Sequence, residues 1–288
     1  SGPGSRDLTM PELPEVETTA ADLRPQVTGL RIAGAHLLWP GMVAKPDAEE
    51  FAARLADQEI VKVGRRGKYL LFALASGETL ICHLRMTGRL RVVAAESAVA
   101  NGPHVRAWFA LSDGRRLVFT DLRKFARMWL VNDAEEVVGK LGLEPLEPEF
   151  TAPALTERLA RRGSAIKAVL LDQTLVAGLG NIYADEALFR AGIHPLRPAN
   201  RLSPAELDRL HAAIVAVLRQ AVTGRGTTLR DYIPPLGEAG GFQDQLQVYQ
   251  RTDRPCPNCG EAIRRIKVTQ RSTHYCPNCQ PPAAREDG

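Results

Sequence analysis

Four of the five cysteines crowd the C-terminus as Cys256-Pro-Asn-Cys259 and Cys276-Pro-Asn-Cys279, with sixteen residues between the pairs. Two thiolate pairs on tight turns at that spacing make the ligand set of a zinc ribbon. Each knuckle aims two sulfurs at one ion. With all four positions filled no site remains for a water, so the single Zn2+ expected here is structural. The intervening GEAIRRIKVTQRSTHY suits a β-hairpin, and around it stand Arg251, Arg254, Arg264, Arg265, Lys267 and Arg271 against Asp253 and Glu261. A metal-stapled hairpin lined with arginines fits phosphates or a groove. Zinc hairpins also bind proteins, and the cysteines alone leave that choice open.

A second stretch with chemical potential is LLDQTLVAGLGNIYADEALFRAGIHP at 170–195. It joins two helical patterns through VAGLGN, where Gly178 and Gly180 let the backbone turn and Asn181 is expected to cap the second helix. Exposed N–H groups at such a turn can hold a phosphate. An ordinary helical hairpin reads the same way, so this motif is weak by itself. A third stretch, MPELPEVE at 10–17, places Pro14 to start a helix through about Leu23, with Glu15 and Glu17 in its first turn.

The elements that must carry these residues fall into two halves. Residues 59–95 and 106–131 alternate in short apolar runs separated by Ser76-Gly77 and Asp113-Gly114, which predicts antiparallel strands. The proline-rich LGLEPLEPEFTAP at 141–153 breaks that pattern and marks a domain boundary. Beyond it, 155–161, 164–174, 181–191 and 204–223 are predicted helices, the last capped by Ser203 with Pro204 first. TGRGTTLRDYIPPLGEAGGFQ has no packing periodicity and is expected to be a mobile loop. At 288 residues, 44% hydrophobic and 24% charged, the chain has the make-up of an ordinary globular protein with room for two cores. No apolar run approaches a membrane span, and no signal peptide opens it. Cys82 lies in a strand-like run, and a metal cluster plus one buried thiol suits a reducing compartment. Residues 151–288 carry a net charge of +5 and the remainder −1, a weak pointer to a polyanionic partner on the second half.

Eight blocks together resemble the formamidopyrimidine-DNA glycosylase family, in the same order: PELPEVE, GRRGKYLLF, HLRMTGRL, DLRKF, LGLEPL, DQTLVAGLGNIYADEALF, GGFQDQLQVYQR and the four-cysteine tail. The likeness spans Met10 to Gln280. It implies an α+β fold of two domains: an N-terminal antiparallel β-sandwich with flanking helices, then a helix-two-turn-helix bundle with a zinc-finger β-hairpin, DNA lying between them. The expected division is a leader at 1–9, a catalytic domain at 10–142, a linker at 143–153, the helical domain with a lesion loop at 154–248, the zinc finger at 249–280 and a tail at 281–288.

The same resemblance assigns roles. Pro11 matches the N-terminal proline whose secondary amine is the nucleophile, and Glu12 the general acid that protonates the opening sugar. Lys68, in the turn after GRRG, matches a lysine that grips the phosphate near the lesion. Met86, Arg123 and Phe125 match three residues that fill the duplex once the damaged nucleotide is flipped out. Asn181 and Arg271 match phosphate clamps, Arg271 also serving as proton donor during β,δ-elimination. The loop from about Thr227 to Gly241 matches a segment closing over the everted base. Leu13 favours purine lesions, since siblings acting on oxidised pyrimidines open with Pro-Glu-Gly-Pro-Glu. The family implies a cytoplasmic bacterial monomer acting on double-stranded DNA with oxidised bases or abasic sites, and no membrane. Pro11 is not terminal here, so a scar or upstream start is expected before Met10, whose removal exposes the amine. An oxidised-pyrimidine enzyme and a non-catalytic lesion binder remain the alternatives.

Overall fold

The computed structural model describes residues 10–227 and 240–282. The predicted leader, positions 228–239 of the expected loop and the tail from 283 lie outside the described residues. The chain divides into two compact units. One holds the described residues through Lys140 and those within Arg225–Gly241, the other those within Leu141–Gly224 and from Phe242 onward.

The first unit opens with α1 (Leu13–Val27). Pro14 sits in its first turn, where a missing N–H is no loss, and Glu15 accepts the Glu12 N–H at 2.9 Å. The helix outruns its expected end near Leu23: Pro25 removes only its own N–H there, while Val27 is fully buried and anchors the last turn. Strands β1 (Arg31–Leu37) and β2 (Val43–Lys45) follow, then α2 (Ala48–Leu55). Next come β3 (Gln58–Arg66), β4 (Tyr69–Leu74), β5 (Thr79–His83) and β6 (Gly88–Ala94). β7 (Val105–Leu111), β8 (Arg115–Asp121), β9 (Arg127–Val131) and the short α3 (Glu135–Val138) complete the unit.

The nine strands run β2-β9-β5-β4-β3-β1-β7-β8-β6, antiparallel except for the β2–β9 pair. The predicted turns at Ser76-Gly77 and Asp113-Gly114 connect β4 to β5 and β7 to β8. β1 and β3 share just two paired positions, Arg31↔Glu59 and Ile32↔Gln58, so the sheet forms two wings. Leu70, Phe72 and Leu74 from one wing meet Ala107, Phe109 and Leu111 from the other in a single core. Period-two alternation makes this possible, because every second residue points to the same face. Val16, Ala20 and Leu23 of α1 and Phe51 and Leu55 of α2 close it. Each large side chain so buried contributes about 1.5–3 kcal/mol.

The second unit is helical. α4 (Ala152–Leu159) starts earlier than expected because the Thr151 hydroxyl caps it, accepting the Ala154 N–H at 3.2 Å. α5 (Ile166–Leu170) is shorter than the predicted 164–174, since the Asp172 carboxylate accepts the Thr174 N–H at 2.9 Å and turns the chain out of helix. α6 (Asn181–Ala191) and α7 (Pro204–Thr223) hold to expectation, and Ser203 with Glu206 forms a capping box on α7. The hairpin β10 (Arg264–Val268) and β11 (Arg271–Tyr275) pairs Val268 with Arg271 across a two-residue turn. Among the described residues, no helix is long and apolar enough to cross a membrane.

Candidate functional site

In the first unit, Pro11 and Glu12 lie buried at the entry of α1, Glu12 being 3% exposed. Glu15 organises this entry from both sides. One carboxylate oxygen accepts the Glu12 N–H, and the other accepts the Thr227 N–H at 2.7 Å. Arg225 reaches the same helix through Asp22 at 2.8 Å. Between them Gly226 has φ +75°, and a Cβ there would meet the Glu15 carboxylate at 2.8 Å, so only glycine brings the chain this close. One end of the expected lesion loop is thus pinned to the helix that begins at Pro11-Glu12.

An open hollow of about 330 Å³ is lined by Met10, Arg85, Met86, Phe125 and Arg127. Met10, the residue before Pro11, thus shares this hollow with Met86 and Phe125. Phe125 is 48% exposed, a high value for so large an apolar ring, and the Arg123 guanidinium lies 4.6 Å from its centroid. The Met86 turn closes tightly: the Gly88 N–H donates to the Leu84 carbonyl at 2.9 Å, and a Cβ on Gly88 would sit 2.4 Å from that oxygen. Lys68 occupies the predicted turn between β3 and β4 and is half-buried. It stands near His83, whose pKa falls to about 3 because burial penalises the cation and the charges of Arg85 and Lys68 oppose it further. The neutral His83 ring accepts the Arg85 N–H at Nδ1, 3.1 Å away.

In the second unit Asn181 and Arg271 are brought together through Ser272. Asn181 does not cap α6 as expected. Gly180 is the cap residue, and the Asn181 side chain instead donates from Nδ2 to the Ser272 carbonyl at 3.0 Å, while Oδ1 is buried with no partner among the described residues. Asn181 stands one position past the cap, and its side chain reaches β11 instead of folding back over the first turn. Arg271, one residue before Ser272, is exposed. Thr269 and Gln270, between the strands, take φ 47° and 63°, the conformation of a type I′ turn. Under this turn lies an ion pair: Lys167 Nζ meets Asp185 at 2.6 Å with both side chains 0% exposed, and Lys167 also donates to the Ser272 carbonyl at 3.1 Å. The His274 N–H donates to the second Asp185 oxygen at 2.9 Å.

The four thiol sulfurs lie within 4.8 Å of one another, with Cys256–Cys279 at 3.7 Å and Cys259–Cys276 at 3.5 Å. Four sulfurs placed tetrahedrally about 2.3 Å from zinc stand about 3.8 Å apart, so the donor set fits one zinc ion. The Asn258 and Cys279 N–H groups donate to the Cys256 and Cys276 sulfurs, each at 3.4 Å, which suits thiolates. Upstream, Glu186 accepts the N–H groups of Gln247, Val248 and Tyr249 at 2.9–3.0 Å and so fixes the segment entering the finger. Burial pushes its carboxyl above the usual range, and those three donors oppose the shift.

Sequence reasoning singled out neither Lys167, Asp185 and His274 nor Thr87, His83 and Asp121. A lysine inside the apolar run AIKAVL was the one signal to be had, since such a residue needs a buried partner.

Residues 10–128 match the formamidopyrimidine-DNA glycosylase N-terminal domain, 141–232 the H2TH domain of the same enzymes, and 254–282 the zinc finger found in FPG and IleRS. The formamidopyrimidine-DNA glycosylase of Pelotomaculum thermopropionicum is 50% identical over 262 residues, covering 90% of this chain and 94% of that protein. That of Chloroflexus aggregans is 50% identical over 260 residues, covering 89% and 94%. The crystal structure of the MutM (Fpg) protein from Thermus thermophilus superposes with a TM-score of 0.85 at 44% identity, covering 95% of this chain and all of the other. The Lactococcus lactis Fpg complexed with abasic-site DNA gives 0.87 at 36% identity, covering 94% and 100%. With its sheet unit, its helical unit and its four-thiolate hairpin all matched, the chain belongs to the formamidopyrimidine-DNA glycosylase family.

Proposed function

We propose that this chain excises oxidised purines such as 8-oxoguanine and formamidopyrimidines from double-stranded DNA and then cuts the strand. The observation that carries the reading is the burial of Pro11 and Glu12 at the head of α1, directly after Met10, which lines one hollow with Met86 and Phe125. The likeness to a Lactococcus lactis Fpg complex with Fapy-dG DNA supports the substrate class.

A free secondary amine at Pro11 attacks C1′ of the damaged nucleotide, and the C1′–base bond breaks as the base leaves with its electron pair and a proton. A free α-amino group titrates near ~8, so a usable neutral fraction exists at physiological pH. Glu12 donates a proton to the ring oxygen, the sugar opens, and loss of the amine proton leaves the Pro11 nitrogen in an iminium. That cation acidifies C2′, and successive β- and δ-eliminations expel the two flanking phosphates. Lys68 holds a phosphate beside the lesion. Asn181 and Arg271 hold the backbone elsewhere, Arg271 supplying a proton during elimination. Cys256, Cys259, Cys276 and Cys279 would hold the zinc ion, which would staple the hairpin that presents Arg271.

While Met10 remains joined to Pro11 the nitrogen is an amide, with no nucleophilic lone pair. Borohydride trapping on an 8-oxoguanine duplex tests this directly. Protein beginning at Pro11 is expected to form the covalent adduct. Protein beginning at Ser1, verified intact by mass spectrometry, is expected to bind without forming it, and an adduct from that form would refute the nucleophile.

A further inference from the structure

Met86 stands on one turn, and Arg123 and Phe125 stand on another, yet both turns are held by one buried carboxylate. Asp121 is 1% exposed. Its Oδ1 accepts the Thr87 hydroxyl and the Arg123 N–H, the latter at 3.1 Å, while Oδ2 accepts the Ala126 N–H at 2.9 Å. Thr87 Oγ1 accepts the same Arg123 N–H at 3.1 Å. One backbone donor is therefore shared between the hydroxyl of the first turn and the carboxylate of the second. The Asp121 carbonyl takes Arg106 Nε at 2.7 Å, tying the junction back to β7.

Strain marks the same two places. Arg85, just before Met86, has φ 55°, and Lys124, just before Phe125, has φ 59°. Non-glycine residues hold that conformation only where their surroundings impose it. Here the imposing groups are His83, which takes the Arg85 N–H, and Asp121, which brackets Lys124 through the N–H groups of Arg123 and Ala126. None of the chemistry above uses Thr87, His83 or Asp121.

We propose that Asp121 and Thr87 are positioning residues that couple the two turns, so that Met86, Arg123 and Phe125 enter a duplex as one preformed unit. The inference rests on the reading that these three fill the space left by an extruded nucleotide. Extrusion forfeits stacking, and filling the void offsets that loss best when the entering side chains need no ordering of their own. An abasic nucleotide has no base to unstack, so its processing leans on the unit far less. That contrast separates positioning from plain folding.

The test uses full-length protein beginning at Pro11, with Thr87→Val, Thr87→Ser and Asp121→Asn variants. Each is assayed on an 8-oxoguanine duplex and on the same duplex carrying an abasic site. Loss of the Thr87 hydroxyl, with its bond to Asp121 and its share of the Arg123 N–H, is expected to lower kcat/KM for Thr87→Val on 8-oxoguanine by about tenfold. The abasic duplex should lose less than about threefold by the same reasoning, and Thr87→Ser, which keeps the hydroxyl, should recover most of the loss. A 2-aminopurine placed next to the lesion should report slower insertion in Thr87→Val and slower still in Asp121→Asn. Equal losses on both duplexes, no loss on either, or failure of Thr87→Ser to rescue would overturn the coupling while leaving the repair reading intact. Wild-type protein that cuts neither duplex would overturn the repair reading, and the coupling with it.

Discussion

The two units solve the same problem, holding a few polar side chains still, with different materials. In the first, a two-winged sheet encloses a large apolar core, and the candidate residues ride on turns braced by neutral or singly charged hydrogen-bond acceptors: Glu15, His83 and Asp121. In the second, the apolar cluster under the hairpin is small, comprising Phe189, Val248, Cys256, Ile263 and Cys276. What such a cluster cannot supply comes from a four-thiolate metal site and a fully buried Lys167–Asp185 pair. A sheet edge resting on a deep core needs only local acceptors to aim its turns. A hairpin on so small an apolar cluster draws also on charge and metal.

That contrast sets an order of fragility. Stripping zinc with a chelator should have the largest effect, because metal binding in such modules is itself folding free energy, on the order of 10 kcal/mol. Hydrogen exchange should show residues 254–280 losing protection while β4, β5, β7 and β8 keep theirs; protection retained throughout the hairpin would mean that the cluster and the ion pair suffice. Lys167→Met comes next. It leaves Asp185 buried without its cation, and breaking a buried pair by removing one partner costs about 3–5 kcal/mol. Chemical denaturation should show that loss, and Lys167→Met with Asp185→Leu should regain only part of it, because the buried His274 N–H then loses its acceptor. A single variant within about 1 kcal/mol of the parent would remove the ion pair from the comparison.

The smallest effect belongs to the first unit. His83 titrates near 3 in the fold and near 6.5 when unfolded, so its pKa is depressed. The stabilisation it carries is whole above about pH 6.5 and drains away as pH falls toward 3, at no more than about 1.4 kcal/mol per unit. His83→Gln removes that slope. Denaturant midpoints of the two proteins should therefore draw closer, or cross, between pH 7 and pH 4.5. A constant gap would show that His83 takes up its proton as readily in the folded protein as in the unfolded chain.

Some of this was legible beforehand because it is local. Each CPNC knuckle states its chemistry within a single turn of backbone, Ser203-Pro204 starts a helix wherever it stands, and Asp113-Gly114 turns a chain whatever surrounds it. Other features were partly legible. The residues proposed to meet the lesion were read only through resemblance to a family, since nothing in the spacing of Met86, Arg123 and Phe125 announces that Met86 and Phe125 line one hollow with Arg123 over the ring. Asn181 was misjudged as a cap because a short polar side chain after a glycine is a good local cap, and the competing Ser272 carbonyl lies 91 positions away.

What the sequence determined by itself was the kind of element at the first helix, in 59–131 and in the helices beyond 153, and the metal chemistry of the tail, because periodicity, caps and ligand spacing act over a few residues. It assigned nothing to the stretch that forms β1, β2 and α2. Which polar groups answer one another was decided only by the tertiary structure. Asp121 receives Thr87 from 34 positions away, Lys167 finds Asp185 across 18 and Ser272 across 105. A buried donor or acceptor costs free energy until it is paired, and its partner is set by where the apolar faces force the backbone to pass.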